Sequence, residues 1–324
     1  MKIGLVFAGG GGKGSYQIGV WKAFREFGLD EKVVAVAGTS VGAINAALFM
    51  QGDFQKAEDA WLRISPGKIL SLSAKKIFNA FLSWGIKLPG KSILFINQLC
   101  DHGFFSRSGL LELINESLIL SSVSDSPIKG YGACLQTPPN MKINYFTFNN
   151  ASPNRIISIL LASSAIPAIF RPIEIDGHRY IDGGLPIVGD NIPIQPLYDH
   201  GCDYIFVVHL SRNAVVDKER FPNATILEIV PPEHLGYLFS GLLNFSAEDA
   251  VERIERGYAD TVSILKLSLK MYETQRKFAE QIINLENDEK RAGMNYEKTI
   301  ADRIQLKLST VKKLERIPYG ISKD

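Results

Sequence analysis

A serine between two glycines is the residue of this sequence best suited to chemistry. It stands in the run Gly38-Thr39-Ser40-Val41-Gly42, which fits the pattern G-x-S-x-G. In that pattern the glycines permit a sharp turn between a strand and a helix, and the turn exposes the serine hydroxyl. A β-branched run precedes the motif and a helical stretch at 43–50 follows it. The sequence therefore predicts that Ser40 attacks an ester carbonyl, while the Val41 amide donates to the developing oxyanion.

A run of glycines, Gly9-Gly10-Gly11-Gly12-Lys13-Gly14, follows the apolar stretch Ile3–Phe7. Without side chains in the way, backbone N–H groups in such a loop can point inward. The helix that follows adds its positive N-terminal end. We interpret the loop as an oxyanion hole formed by the amides of Gly10, Gly11 and Gly12. The remaining residues, Gly9, Lys13 and Gly14, would support it, and Lys13 would also suit an anionic head group.

Two nucleotide-binding patterns compete for the same loop. A phosphate-binding P-loop requires glycine where Phe7 stands and Ser or Thr where Gly14 stands, so that pattern fails. The dinucleotide fingerprint G-x-G-x-x-G fits Gly9, Gly11 and Gly14, and it would make the chain an NAD(P)-binding oxidoreductase. That fingerprint also requires an acidic residue at the end of the second strand, where Val36-Ala37-Gly38 stands instead.

A serine nucleophile needs a base, and the residues offer two candidates. The chain order Ser, Asp, His of α/β-hydrolases favours His209, which ends an apolar strand but has no motif around it. Asp182 begins the run Asp182-Gly183-Gly184, which follows a hairpin with the tight turn Asp176-Gly177. Glycines behind the aspartate would let it approach another backbone closely. The residues alone leave a dyad and a triad open.

Together these motifs resemble those of the patatin family of lipid acyl hydrolases, which includes relatives of cytosolic phospholipase A2. The glycine loop, the serine elbow and the Asp182-Gly183-Gly184 box occur in the family's order, and Ala162-Ser163-Ser164-Ala165-Ile166-Pro167 resembles the segment before that box. The loop departs slightly, with Ala8 where many members have aspartate. The resemblance implies a Ser40–Asp182 dyad, an acyl-enzyme and a phospholipase A, lysophospholipase or esterase activity. A patatin-shaped scaffold without catalysis is the second alternative.

Alternating strand and helix patterns predict an α/β fold of three layers, with a mainly parallel central sheet flanked by helices. The resemblance covers residues 1–215, which we expect to form the catalytic domain, with a helical cap-like insertion at 51–125. Residues 216–324 are expected to form a mainly helical C-terminal extension. Its long helix should begin at Ser246, where Asp249 completes a capping box.

Net charge, cysteine spacing and the length of apolar runs limit the classes of molecule that the protein is expected to bind. The formal net charge is only +2, which argues against nucleic acid. Cys100, Cys134 and Cys202 fit no metal-ligand spacing and indicate free thiols, so we expect neither metal nor cofactor. No run of about 18 apolar residues is present. We therefore expect a cytoplasmic enzyme acting on a lipid or other acyl ester, with peripheral contact to membrane surfaces through segments such as 75–87, which suits an interfacial or cap helix.

Overall fold

The computed structural model describes residues 2–63, 108–167, 169–236 and 245–314, with side chains up to 309. The chain divides into two compact units, Met1–Ile264 and Leu265–Asp324. The predicted interfacial or cap helix at 75–87 lies outside the described residues. The boundaries of a catalytic domain at 1–215 and an extension at 216–324 stay a prediction.

A central sheet of eight strands organises the first unit, and most of its strands are parallel. The strands, in chain order, are β1 (Ile3–Phe7), β2 (Val33–Thr39), β3 (Lys129–Gln136), β4 (Ile143–Thr147), β5 (Ile173–Ile175), β6 (His178–Asp182), β7 (Tyr204–Val208) and β8 (Thr225–Ile229). Hydrogen-bonded pairing follows the path β5-β6-β3-β2-β1-β7-β8, and β4 also pairs with β3. Every residue of β1 is buried, as expected for a strand covered on both faces.

Helices accompany the strands. The described helices are α1 (Ser15–Glu26), α2 (Val41–Gln51), α3 (Phe54–Arg63), α4 (Ser108–Ser117), α5 (Leu120–Ser124), α6 (Pro153–Ser163), α7 (Gln195–Asp199) and α8 (Ala247–Leu314). A short 3-10 turn, Gly11–Gly14, leads into α1. The amide of Asp249 donates to the hydroxyl of Ser246 at the start of α8, which confirms the predicted helix start.

The strand β3 determines where the site forms, because two strands share one of its edges. The parallel strand β2 ends with Thr39 paired to Ala133 of β3. The next residue of β3, Cys134, pairs with Asp182, the last residue of the antiparallel strand β6. The opposite edge of β3 pairs with β4. Consequently β2 and β6 run toward each other along the same edge, and their C-terminal ends meet.

The fold confirms the predicted α/β class with its mainly parallel sheet and long C-terminal helix. The hairpin turn also has the predicted form, since Asp176 and Gly177 both have positive φ, 51° and 73°. Cys134 and Cys202 are buried free thiols, as expected. Sequence patterns did not reveal β8, whose five residues alternate between exposed and buried within a turn-rich region. None of the described helices has the length and apolar character that crossing a bilayer requires.

Candidate active site

Ser40 lies at the turn between β2 and α2, with a backbone conformation that non-glycine residues rarely adopt. Its φ is 57° and its ψ is −128°. Such strain persists only where the surroundings enforce it, and it is typical of functional positions. Here the enforcement is close packing: a Cβ on Gly42 would overlap the carbonyl oxygen of Phe7, and one on Gly38 would overlap that of Gly42. The two glycines of the motif therefore allow β1, β2 and α2 to meet tightly beneath the serine.

Ser163 fixes the backbone of this turn from the end of α6. Its hydroxyl accepts a hydrogen bond of 2.9 Å from the Ser40 amide and donates one of 2.7 Å to the carbonyl of Ala133 on β3. The Ser163 side chain is fully buried. It ties the turn to the strand that also holds Asp182, so the relative position of the two candidate groups depends on this hydroxyl.

Asp182 is buried at the end of β6, and its carboxylate faces Ser40. The amide of Gly184 donates to Oδ1 at 2.7 Å, and the Ser40 side chain lies beside the same carboxylate. Desolvation by burial raises the pKa of Asp182 to about 6, against the opposing effects of Gly184 and Ser40. The site thus holds a hydroxyl beside a carboxyl group that is ionised near neutral pH and more basic than an ordinary aspartate.

The two glycines after Asp182 permit the approach of this carboxylate. A Cβ on Gly183 would stand 2.5 Å from the carbonyl oxygen of Ala133, and one on Gly184 would stand 2.5 Å from the side-chain oxygen of Asn191. The Gly183 carbonyl in turn accepts from the amide of Asp190 at 2.7 Å. The run Asp182-Gly183-Gly184 therefore lies against β3 on one side and the loop at 189–192 on the other.

Several backbone amides of the glycine loop and the start of α2 are unbonded within the described part of the chain. The amides of Gly10, Gly11, Gly12 and Val41 form no hydrogen bond with any residue that the structure describes. Gly9 differs, because its amide donates to the carbonyl of Asn191 at 3.3 Å. A group of free N–H donors at one helix start and one adjacent loop is what an oxyanion requires.

Buried side chains hold the carbonyl groups of the same loop. Gln17 donates to the Ala8 carbonyl at 2.8 Å, and Asn45 donates to the Gly14 carbonyl at 2.9 Å and to the Gln17 side-chain oxygen at 2.7 Å. The indole of Trp61 donates to Asn45 at 2.9 Å. These hydrogen bonds to the Ala8 and Gly14 carbonyls fix the orientation of their peptide planes and restrict the conformation of the loop. Sequence reasoning missed these residues because no motif surrounds them.

Lys13, inside the loop, is about half buried rather than fully solvated. Desolvation lowers its pKa, and the nearby guanidinium of Arg253 lowers it further. Arg253 comes from the first turns of α8 and donates to the Gly12 carbonyl at 3.1 Å. Two cationic groups therefore lie at the loop. Lys13 was expected from the sequence, and Arg253 was not.

The alternative base, His209, has a different partner. Its ring is fully buried after β7, and Nε2 lies 2.9 Å from the carboxylate of Glu228 on β8. Burial lowers the pKa of His209, against the opposing effect of Glu228. The groups that act on the Asp182 carboxylate are the Gly184 amide and the Ser40 side chain, and none of the histidines that the structure describes is among them. No group of His, Cys, Asp and Glu side chains suited to a metal ion occurs within the described ranges.

The chain belongs to the patatin-like phospholipase family, whose model matches residues 5–198. That match contains the glycine loop, Ser40, Ser163 and Asp182. The family assignment confirms the resemblance drawn from the motifs.

The curated relatives are longer than this chain, which matches only part of each of them. An uncharacterized NTE family protein of Mycobacterium tuberculosis is 26% identical over 232 residues, covering 69% of this chain and 53% of the relative. A protein named lysophospholipase nte1, of Aspergillus terreus, is 47% identical over 207 residues, covering 64% of this chain and 12% of that protein. The chain therefore spans about half of the length of the first relative and a small part of the second.

Among solved structures, the crystal structure of VipD from Legionella pneumophila has the same fold. The TM-score is 0.50 at 15% identity, and the match covers 81% of this chain and 66% of that one. This likeness supports the arrangement of sheet and helices described above.

Proposed function

We propose that the protein is a serine lipid acyl hydrolase that works through a Ser40–Asp182 dyad. The observation that carries the proposal is the placement of Ser40 beside the buried Asp182 carboxylate, next to backbone amides that form no hydrogen bond among the described residues. Nucleophile, base and oxyanion donors are the three parts that acyl transfer requires.

The proposed reaction proceeds through an acyl-enzyme. Asp182 takes the hydroxyl proton as Ser40 Oγ attacks the ester carbonyl carbon, and the amides of Gly10, Gly11, Gly12 and Val41 hold the resulting oxyanion. The tetrahedral intermediate collapses, and the departing alkoxide receives the proton from Asp182. Water then gives a proton to Asp182 and attacks the acyl carbon; Ser40 leaves and recovers that proton. The products are an alcohol and a carboxylic acid.

A direct carboxylate base is consistent with the electrostatics of the site. An ordinary aspartate is a weak base, but burial raises the pKa of Asp182 to about 6. The oxyanion donors would supply a further large part of the barrier reduction, since each such donor contributes about 10²- to 10³-fold in known enzymes.

The substrate class follows from the family rather than from the geometry. Membership among the patatin-like phospholipases and similarity to a named lysophospholipase both favour a lipid ester. We propose a phospholipase A, lysophospholipase or esterase activity, exerted by a cytoplasmic enzyme at a membrane surface.

The alternative of an NAD(P)-binding oxidoreductase finds little support. β2 ends at Thr39 and is followed by Ser40, so no carboxylate stands where the fingerprint needs a ribose ligand. The carbonyls of Ala8 and Gly14 are held by Gln17 and Asn45. A patatin-fold scaffold without catalysis would not need a serine in a rarely adopted backbone conformation beside a buried carboxylate, which favours the enzyme.

Product analysis with a panel of lipids tests the proposal. Phospholipids, lysophospholipids and a soluble short-chain ester are incubated with the wild type and with Ser40→Ala, and released fatty acid is measured. We expect hydrolysis of at least one lipid and its complete loss in Ser40→Ala. Ser211→Ala, on an exposed turn, is the matched control and should remain active. Equal turnover by Ser40→Ala, or nucleotide binding without hydrolysis, would reject the proposal.

A further inference from the structure

Arg253, far from every motif of the sequence, is the one cation of the described chain that bonds directly to the glycine loop. It lies in the first turns of α8, and its side chain is only 5% exposed. Its Nη1 donates to the Gly12 carbonyl across 241 positions of sequence. The carbonyl of Gly12 also accepts from the Ser15 hydroxyl at 3.3 Å, so the peptide is held from two sides.

The surrounding helices place this arginine with little freedom. A Cβ on Gly19 of α1 would overlap the carbonyl of Ile254, and one on Gly257 would overlap the carbonyl of Tyr16. Ion pairing of Lys22 with Glu255 at 2.7 Å joins the same two helices. The first turns of α8 therefore pack directly against α1, and Arg253 is carried to the loop on a rigid support.

A buried guanidinium is a costly way to fill space, since removing a charge from water is unfavourable. Desolvation lowers the pKa of Arg253, and acidic neighbours Asp249 and Glu252 oppose that effect. An apolar side chain of similar size would fill the same space without the free-energy cost of desolvating a charge. What the guanidinium adds is a donor that fixes the Gly12 carbonyl, together with positive charge next to the loop where negative charge develops.

We propose that Arg253 is a positioning residue for the oxyanion loop, so that α8 completes the active site. The inference rests on the proposed hydrolase function. Through the Gly12 carbonyl, Arg253 keeps the amides of Gly10, Gly11 and Gly12 aimed at the oxyanion, and its charge favours the tetrahedral intermediate over the neutral ester. The role acts on the transition state and leaves substrate binding largely unchanged.

Steady-state kinetics of Arg253→Met and Arg253→Lys test this role, with hydrolysis of the soluble ester as the readout. We expect Arg253→Met to lower kcat about 10- to 100-fold with KM changed less than threefold, below the effect of a direct donor. Arg253→Lys retains the charge and should recover part of the loss. The rate of labelling by a fluorophosphonate should fall in parallel with kcat. Arg256→Met, in surface ion pairs on the same helix, is the control and should match the wild type.

The outcomes separate this inference from the proposed function. If Ser40→Ala is inactive while Arg253→Met has wild-type kcat, only the inference fails. If Ser40→Ala keeps its activity, the proposed function fails first. Unfolding of both Arg253 variants, judged by circular dichroism and denaturation, would overturn the inference as well, because Arg253 would then serve the fold. A rise in KM with unchanged kcat would assign Arg253 to substrate binding instead.

A separate observation concerns the second unit, Leu265–Asp324. From 266 to 309 every side chain of its helix is exposed. At 100° per residue one face collects a line of apolar side chains. We call this line the apolar seam; it consists of Phe278, Ile282, Leu285, Ala292, Tyr296 and Ile300. Spacings of three, four and seven residues are those of a seam between paired helices.

Two charged residues lie on the same face of the helix, at equal distances in sequence from Tyr296. Glu289 and Arg303 stand seven positions before and after Tyr296, and neither forms an ion pair within the described helix. In a parallel pair of helices each would face its own kind of charge. In an antiparallel pair of helices centred on Tyr296, Glu289 of each helix faces Arg303 of the other helix, which gives two ion pairs related by symmetry. Ala292 of each helix likewise faces Ile300 of the other helix.

We infer from this symmetry that the seam is the interface of an antiparallel homodimer. Light scattering of the full chain at increasing concentration should show a dimer. Glu289→Arg and Arg303→Glu should each weaken it about tenfold or more, and the double variant should restore it. Lys298→Glu, on the opposite face, is the control. A monomer at all concentrations, failure of the double variant to recover, or association of the monomer with phosphatidylcholine vesicles through this face would overturn the inference.

Discussion

Burial and hydrogen bonding act on the carboxyl group of Asp182 in opposite directions. Burial dominates and raises its pKa to about 6, while the Gly184 amide and Ser40 oppose the rise. A carboxylate with this pKa is ionised at neutral pH yet holds a proton more readily than a solvated aspartate. This balance suits a general base that takes the proton from Ser40 directly and later returns it.

The pH dependence of hydrolysis should show this ionisation. Because the base must be deprotonated, kcat/KM should rise with pH through about 6 and reach a plateau above it. Asp182→Asn should lower kcat about 10²- to 10⁴-fold and remove the rising limb. His209→Ala should keep most of the activity, since its ring pairs with Glu228. A severe loss in both variants would indicate a triad.

The same group should make the stability of the protein depend on pH. A pKa raised on folding means that the folded state holds the proton more tightly. The contribution of Asp182 to stability is therefore greatest below about pH 4 and is lost as the pH rises through about 6. The shift of about two pKa units corresponds to about 3 kcal/mol. Relative to wild type, Asp182→Asn should therefore gain stability between pH 4.5 and pH 8. Urea unfolding of both proteins at pH 4.5 and pH 8 measures their free energies of unfolding. If the difference between variant and wild type is the same at both pH values, burial does not raise the pKa of Asp182 as assigned.

At the scale of elements, the site depends on how closely α2 approaches β1. Gly42 leaves no room for a Cβ beside the Phe7 carbonyl. Gly42→Ala should therefore destabilise the protein by about 1–3 kcal/mol and displace the Ser40 turn, so that activity falls more than stability alone explains. Gly293→Ala is the matched control, because a Cβ there meets nothing within 4 Å. It should stabilise α8 by up to about 1 kcal/mol. Thermal unfolding and hydrolysis rates of both variants test this prediction. Wild-type stability and activity in Gly42→Ala would contradict the packing argument.

Sequence motifs located the candidate groups but not the framework around them. Ser40 and Asp182 could be predicted because local glycines restrict the backbone next to each of them. The end-to-end meeting of β2 and β6 on β3 could not, since strand order is a property of the whole sheet. Asn45 and Arg253 also escaped notice, because their partners lie 31 and 241 positions away. Ser163 belongs to the segment 162–167 that resembles the family's, but its bond to the Ser40 amide, 123 positions away, could not be predicted. Polar residues that act through such distant contacts leave no local pattern.

At the scale of the whole molecule, we predict that hydrolysis needs no added metal ion, because the proposed mechanism assigns every proton transfer to Asp182. Chelator treatment should therefore leave the initial rate of soluble-ester hydrolysis unchanged. The soluble ester excludes indirect effects of calcium on a lipid surface. A loss of rate that added metal restores would contradict the mechanism.

The central claim is that Ser40 is the nucleophile activated by Asp182, and mapping a covalent adduct tests it most directly. The full chain is treated with a fluorophosphonate, digested and examined by mass spectrometry. We predict one phosphonyl group per chain, located on Ser40, formed much more slowly in Asp182→Asn and absent from Ser40→Ala. An adduct on another residue, or equal labelling of Ser40→Ala and wild type, would contradict the account.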